Sequence, residues 1–219
     1  MICGVFGLPG AGKTTFLTWC ARRALAGKPL RVGHLWAKIP LGEFDHYDRV
    51  YSTFPVKGAY KFDYDCVGVF QFERCLILID EMSHLQDNRD FKTYDAGKKY
   101  FFSMARHMMI DLIYCSQSYT DCDLKIRNMT TRLFLIQKRA FDRSRISPVK
   151  PEWLVQGKEL SVGYTLAPSI SCTTLNRRKL YEYFDSFDFH RLPPVPAIPW
   201  IQVDGESQSY QSTDRKAHV

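Results

Sequence analysis

With 219 residues, 45% of them apolar and 24% charged, the chain is large enough to bury one substantial core and has an ordinary globular composition. Its formal charge of +7 suits a polyanionic partner, either nucleic acid or an acidic membrane surface, while no run of about 18 apolar residues is present to span a bilayer. Seven cysteines without a C-x-x-C pair and six histidines without ligand spacing exclude a zinc motif and a disulfide framework, and predict buried free thiols.

Ile2 to Phe6 is a short apolar run suited to a buried strand, and because it follows the initiator methionine no leader peptide is expected. Directly after it stands Gly7-Leu8-Pro9-Gly10-Ala11-Gly12-Lys13-Thr14, a complete G-x-x-x-x-G-K-S/T (Walker A) loop. Gly7, Gly10 and Gly12, with the small Ala11, leave room for backbone N–H groups to converge on phosphate oxygens. Lys13 can reach the β- and γ-phosphates of ATP, and the Thr14 hydroxyl can ligate the bridging Mg2+. The apolar spacing from Thr15 to Ala26 predicts a helix, which sets the phosphates at a helix N-terminus beside Thr15.

Leu30 to Trp36 reads as a second strand. Residues 38–74 show no clear period, and short irregular structure or a hairpin covering one sheet edge is expected there. Cys75 to Ile79 is an uninterrupted apolar run ending at Asp80-Glu81. An aspartate at such a strand end can hold magnesium directly or through water, and the glutamate after it can polarise an attacking water. Residues 92–108 predict a helix, followed by a strand from Asp111 to Ser116 that ends at Gln117. In a parallel sheet that end lies near Asp80, so Gln117 reads as a γ-phosphate sensor or as a surface turn residue.

Lys125 to Met129 predicts a short helix or turn, and Arg132 to Gln137 a further strand. The basic cluster Lys138 to Arg145 reads as a surface loop or a DNA contact, although it could be mistaken for a kinase lid. Glu159 to Leu166 predicts an edge strand and Asn176 to Phe184 a short final helix. The boundary is set at residue 190, with 1–190 an ATPase domain and 191–219 a Pro-rich, then polar, poorly ordered tail. Apolar strands alternating with helices predict an α/β fold, a mostly parallel sheet with helices on both faces.

Transition-state charge on the γ-phosphate calls for an arginine. Arg106, just before the Asp111 strand, would sit at the opposite end of the sheet from its own nucleotide and could act only on a neighbouring subunit; Arg127, Arg132 and Arg139 compete for the role.

Leu78-Ile79-Asp80-Glu81, Arg106-His107, the Asp111-led strand ending in Gln117 and the following Ile126-Arg127 together resemble the zonular occludens toxin (Zot)-like family of filamentous phage assembly ATPases. Tyr183-Phe184-Asp185-Ser186-Phe187 resembles the aromatic-Ser segment closing that family's ATPase domain. The likeness covers about residues 1–190, by motifs rather than continuous identity. It implies a P-loop ATPase of the additional-strand, RecA/FtsK-like type, a hexamer that moves single-stranded phage DNA during packaging or extrusion. It also implies the glutamine at Gln117, an arginine finger at Arg106, and phage coat or membrane assembly proteins as partners in the host cell cytoplasm. Inner-membrane members of that family continue into a transmembrane helix, which is not found here; a separate membrane protein would supply the anchor, or the chain is a soluble packaging motor. Lys98, Lys99, Lys125 and Arg127 are candidates to track the DNA backbone, or are simply solvated. A nucleotide-dependent assembly switch and a small-molecule kinase are the alternative functions.

Overall fold

Short apolar runs with no polar alternation can be buried only where both faces of a sheet are covered. The computed structural model, which describes residues 1–33, 38–63, 66–67, 69–82, 101, 104–119, 122, 124–149, 172–184, 192–193 and 198–199, uses them in that way. Strands β1 (Ile2–Phe6), β7 (Cys75–Ile79) and β8 (Asp111–Ser116) are buried along their whole length. They form the centre of an eight-stranded sheet of order β11-β10-β9-β1-β8-β7-β4-β5. Here β4 is Arg49–Ser52, β5 Tyr60–Lys61, β9 Arg132–Arg139, β10 Arg143–Val149 and β11 Thr173–Asn176. The ladder from β9 to β5 is parallel throughout, and β10 runs antiparallel to both of its neighbours.

Successive side chains serve opposite faces. Cys3, Val5, Leu76, Leu78, Ile113 and Cys115 pack with Phe16, Leu17 and Cys20 of helix α1 (Lys13–Leu25). On the other face Ile77, Leu112 and Tyr114 pack with Phe101, Ala105 and Met108, and with Ile126 of helix α2 (Leu124–Met129). The decisive topological feature is β8, inserted between the loop-bearing β1 and the β7 strand that ends at Asp80. That is the additional-strand form of the P-loop fold.

Several elements differ from the sequence expectation. Within Leu30 to Trp36 only Arg31–Val32 (β2) is a strand, and it pairs antiparallel with β3 (Ile39–Pro40) outside the main sheet. The 38–74 segment does more than cover an edge, because β4 lies inside the sheet against β7. Four residues are too few to show a period, and the fully buried Ser52 hides the strand further. The basic cluster is a β9–β10 hairpin rather than a loop; its polar residues disguise β10, whose Ser144 and Ser147 are buried. The final helix is a 3-10 helix, Arg178–Tyr183, after β11.

Of the helix expected over 92–108, Phe101 and Met104 are helical and 105–109 turn, while Lys98 and Lys99 lie outside the described residues. The strand expected at 159–166 also lies outside them. Within 191–219, Pro193 accepts from the Lys61 N–H, and Ile198–Pro199 (β12) pairs with Phe70–Gln71 (β6). All seven cysteines are free thiols. No helix among the described residues is long and apolar enough to cross a membrane.

The N-terminal edge of the sheet is fastened by one fully buried carboxylate, Asp111. It accepts from the Met1 ammonium at 2.5 Å, the Tyr47 hydroxyl at 2.6 Å and the Phe44 N–H at 3.2 Å. Burial, then Asp111 itself, pushes the Tyr47 hydroxyl up and keeps it a donor. Asp111→Asn is expected to destabilise the fold by about 1.5–3 kcal/mol, since the part-buried Met1 ammonium loses its counter-charge. Urea unfolding checks this; an unchanged midpoint contradicts it.

Candidate functional site

The loop between β1 and α1 begins at the buried Gly7 and ends at Gly12, with Leu8, Pro9 and Gly10 exposed. Gly10 and Gly12 have φ of 73° and 98°, a left-handed backbone that favours glycine. Helix α1 has no side-chain cap and no acidic residue in its first turn. Its leading N–H groups therefore have neither an intrahelical acceptor nor a side-chain cap, the arrangement that receives a phosphate.

Lys13 starts this helix and is buried. Its ammonium turns back to donate to the Gly7 carbonyl at 2.8 Å and the Leu8 carbonyl at 3.5 Å. Next to it the Thr14 hydroxyl donates to the Asp80 carboxylate at 2.6 Å. Those are the two side chains expected to hold magnesium, and the fold brings them together from 66 residues apart. The Asp80 N–H donates to the Thr53 hydroxyl, so the end of β4 steadies the carboxylate's backbone. A hydroxyl and a carboxylate at this separation can share a small divalent ion whose other ligands are phosphate oxygens and water. Among the described residues no group of three or more His, Cys, Asp or Glu converges, so a preformed all-protein metal cage is absent there. Thr15 is buried in the first turn of α1.

Glu81 follows with φ of 58°, a left-handed conformation costing a non-glycine residue about 1–3 kcal/mol and often found at functional sites. Gln117 follows the last residue of β8 and is exposed. It lines a cavity of about 650 Å3 together with Gly7, Leu8, Pro9 and Ala11 on one side and Lys138 and Arg139 on the other. Strand insertion thus puts Gln117 beside the loop, between β1 and β7.

Arg106 is elsewhere. It precedes β8 at the opposite sheet edge, 80% exposed, with its Nε 3.3 Å from Glu43. Arg132 starts β9 and so shares that distant edge. Arg127 lies over the Tyr119 ring at 5.2 Å, and Arg139 is on the loop's own edge.

Two residues that no motif marks hold the loop from behind. Ser144, fully buried on β10, donates to the Ala11 carbonyl at 2.6 Å. Arg177, just after β11, donates to the Gly10 carbonyl at 3.0 Å and pairs with Asp142 at 2.7 Å. The approach is tight: a Cβ on Gly12 would stand 2.5 Å from the Ser144 hydroxyl and 2.9 Å from Arg177 Cδ. A Cβ on Gly7 would stand 2.5 Å from the Ile136 carbonyl of β9. Gly7 and Gly12 are therefore required by the groups packed against them from β9, β10 and the residue after β11.

Neither a family model nor a curated protein matches the chain. Among solved structures it is similar to the N-terminal domain of zonular occludens toxin from Neisseria meningitidis, at 14% identity and a TM-score of 0.45, over 84% of this chain and 98% of that one. The flagellar accessory protein FlaH from Methanocaldococcus jannaschii is similar at 10% identity and a TM-score of 0.39, over 68% and 77%. The FIGL-1 AAA domain in complex with ADP is similar at 14% identity and a TM-score of 0.33, over 61% of this chain and 42% of that one. At such distances, strand order and loop geometry define the fold.

Burial raises the Asp80 carboxyl above its ordinary range, against the pull of the Thr14 hydroxyl and the Lys13 charge. A raised folded-state value favours the fold below the unfolded value, and that gain is lost as pH rises through the folded value. The ionised Asp80 therefore costs stability at neutral pH. Asp80→Asn is expected to melt above the wild-type chain at neutral pH without nucleotide, with the gap closing toward acid, and to lose magnesium-dependent nucleotide binding. Melting curves over a pH series, with and without Mg2+ and ADP, check both parts. A variant that melts lower at neutral pH yet binds normally contradicts them.

Proposed function

We propose that the chain is an ATP-hydrolysing motor that drives phage DNA packaging or the assembly and extrusion of phage particles, working as a ring, with a hexamer the expected form. The observation that carries the reading is the Thr14–Asp80 hydrogen bond at 2.6 Å, with Gln117 on the strand inserted between their two parent strands. A phosphate chain along Gly7–Thr15 would place its magnesium at Thr14 and Asp80, with Lys13 neutralising the β- and γ-phosphate oxygens. Glu81, immediately beyond Asp80, would accept the proton of the attacking water, and Gln117 would hold that water or the γ-phosphate. When bound, ATP supplies the scissile phosphoanhydride and Mg2+ the charge that stabilises its cleavage.

The ring is favoured by the position of Arg106. Among the described residues its exposed side chain is held by a surface ion pair to Glu43, of the kind worth about 0–1 kcal/mol, so a neighbour's phosphates could displace it. The motifs from Asp80 to Arg127 that resemble the Zot-like family favour single-stranded DNA as cargo, as does the net charge. The motor would work in the host cytoplasm, recruited to the inner face of the membrane by an assembly protein.

Glu81→Gln is expected to bind ATP with Mg2+ as tightly as wild type while turnover falls about 100- to 10,000-fold, the usual contribution of a general base. Phosphate release with and without single-stranded DNA checks this, alongside a binding titration. Wild-type turnover in the variant would overturn the role of Glu81. Unaltered assembly by the variant, with no DNA stimulation of wild type, would favour a nucleotide-dependent assembly switch.

A further inference from the structure

The β9–β10 hairpin forms the basic sequence cluster, and its turn reaches beyond the residues that support the phosphate loop. Strand β9 pairs with β1 as far as Leu135 opposite Phe6, then runs on through Ile136 to Arg139. At about 3.3 Å per residue, those four residues carry the hairpin about 13 Å past the last β1 pair, on the edge that bears the phosphate loop. Its tip is the turn Ala140-Phe141-Asp142.

The tip has three properties that seldom coincide. Phe141 is 87% exposed, the most exposed large apolar side chain among the described residues. Phe141 and Asp142 have φ of 56° and 55°, two consecutive left-handed residues with no glycine, where a hairpin turn ordinarily takes Asn or Gly. Lys138, Arg139 and Arg143 flank them, all exposed and, among the described residues, without an ion-pair partner. The only carboxylate at the turn, Asp142, is committed: it pairs with Arg177 at 2.7 Å and Arg178 at 3.6 Å and accepts from the Tyr181 hydroxyl. Those contacts keep the strained turn in place and leave its positive charge unneutralised.

We infer that this hairpin tip is a contact site for single-stranded nucleic acid, with a base stacked on Phe141 and phosphates on Lys138, Arg139 and Arg143. The inference rests on the motor reading above and names the surface that would grip the strand. An aromatic face held out on a rigid turn stacks any base, and flanking cations follow the backbone without reading sequence. The tip is also connected to the phosphate loop. Asp142 holds Arg177, which holds the Gly10 carbonyl, and Ser144, two residues on, holds that of Ala11. A strand drawn across the tip would pull on the loop through two polar contacts.

The test is fluorescence anisotropy with a labelled oligothymidylate at several salt concentrations, on wild type, Phe141→Ala and the double variant Lys138→Ala/Arg139→Ala. Because Phe141 is exposed, its loss is expected to leave the melting temperature unchanged while weakening the oligonucleotide about 5- to 150-fold, the range of one base–aromatic stack. The double variant is expected to flatten the salt dependence by about 0.7 in log–log slope for each phosphate contact removed. If wild type binds the strand and all variants bind it equally, the hairpin inference falls and the motor reading stands. If wild type binds no strand at any salt, both fall. If Phe141→Ala keeps its oligonucleotide affinity but loses self-association, the tip is a contact between copies of the chain and the inference is overturned.

Discussion

A loop that aims its N–H groups at a ligand must turn carbonyls the other way, and buried carbonyls need donors. Lys13 serves the Gly7 and Leu8 carbonyls from within the motif, and the carbonyls of Gly10 and Ala11 take donors from outside it. The Ser144 hydroxyl meets Ala11 from β10, and the Arg177 guanidinium meets Gly10 from just after β11. Those bonds fix the back of the loop while its front stays open. Gly12 is pressed so closely between the same two side chains that any Cβ would collide with them. The loop is thus held from the β10–β11 side of the sheet, through contacts 133 and 167 residues apart in sequence.

The second constraint is strand order. Inserting β8 between β1 and β7 leaves Thr14 and Asp80 in hydrogen-bond contact and puts Gln117 at the same edge. A partly buried carboxylate there works against stability, since loss of solvent raises its pKa. Such a cost is common where a fold must keep a cation site, because the ion supplies the charge that the empty protein lacks. At the opposite edge Asp111 is buried under the reverse arrangement, its charge met by the Met1 ammonium. One carboxylate fastens the sheet, and the other stands hydrogen-bonded to Thr14 at the start of α1.

What could be read in advance depended on whether the signal was local. The apolar runs Ile2–Phe6, Cys75–Ile79 and Asp111–Ser116 announced buried parallel strands, and the glycine spacing before Lys13 announced the loop, because each signal lies within one short segment. Strand β4 stayed hidden because four residues carry no period, and β10 because serines and arginines fill positions whose burial depends on distant partners. Ser144, Arg177 and Thr53 were invisible for the same reason: their roles are hydrogen bonds to segments far away in the chain. Arg106 was placed at the far edge from its order before β8 alone, and there it stands, paired with Glu43.

The support behind Gly7–Thr15 matters to function if that loop binds nucleotide in the shape Ser144 and Arg177 give it. Calorimetric titration of Mg2+ and ADP into wild type and Ser144→Ala measures this directly. The prediction is one saturable site per chain in wild type, weakened about 5- to 150-fold in the variant, where Ala11 keeps a buried carbonyl without its donor. Equal affinity in the two proteins, or no saturable binding in wild type, would contradict it.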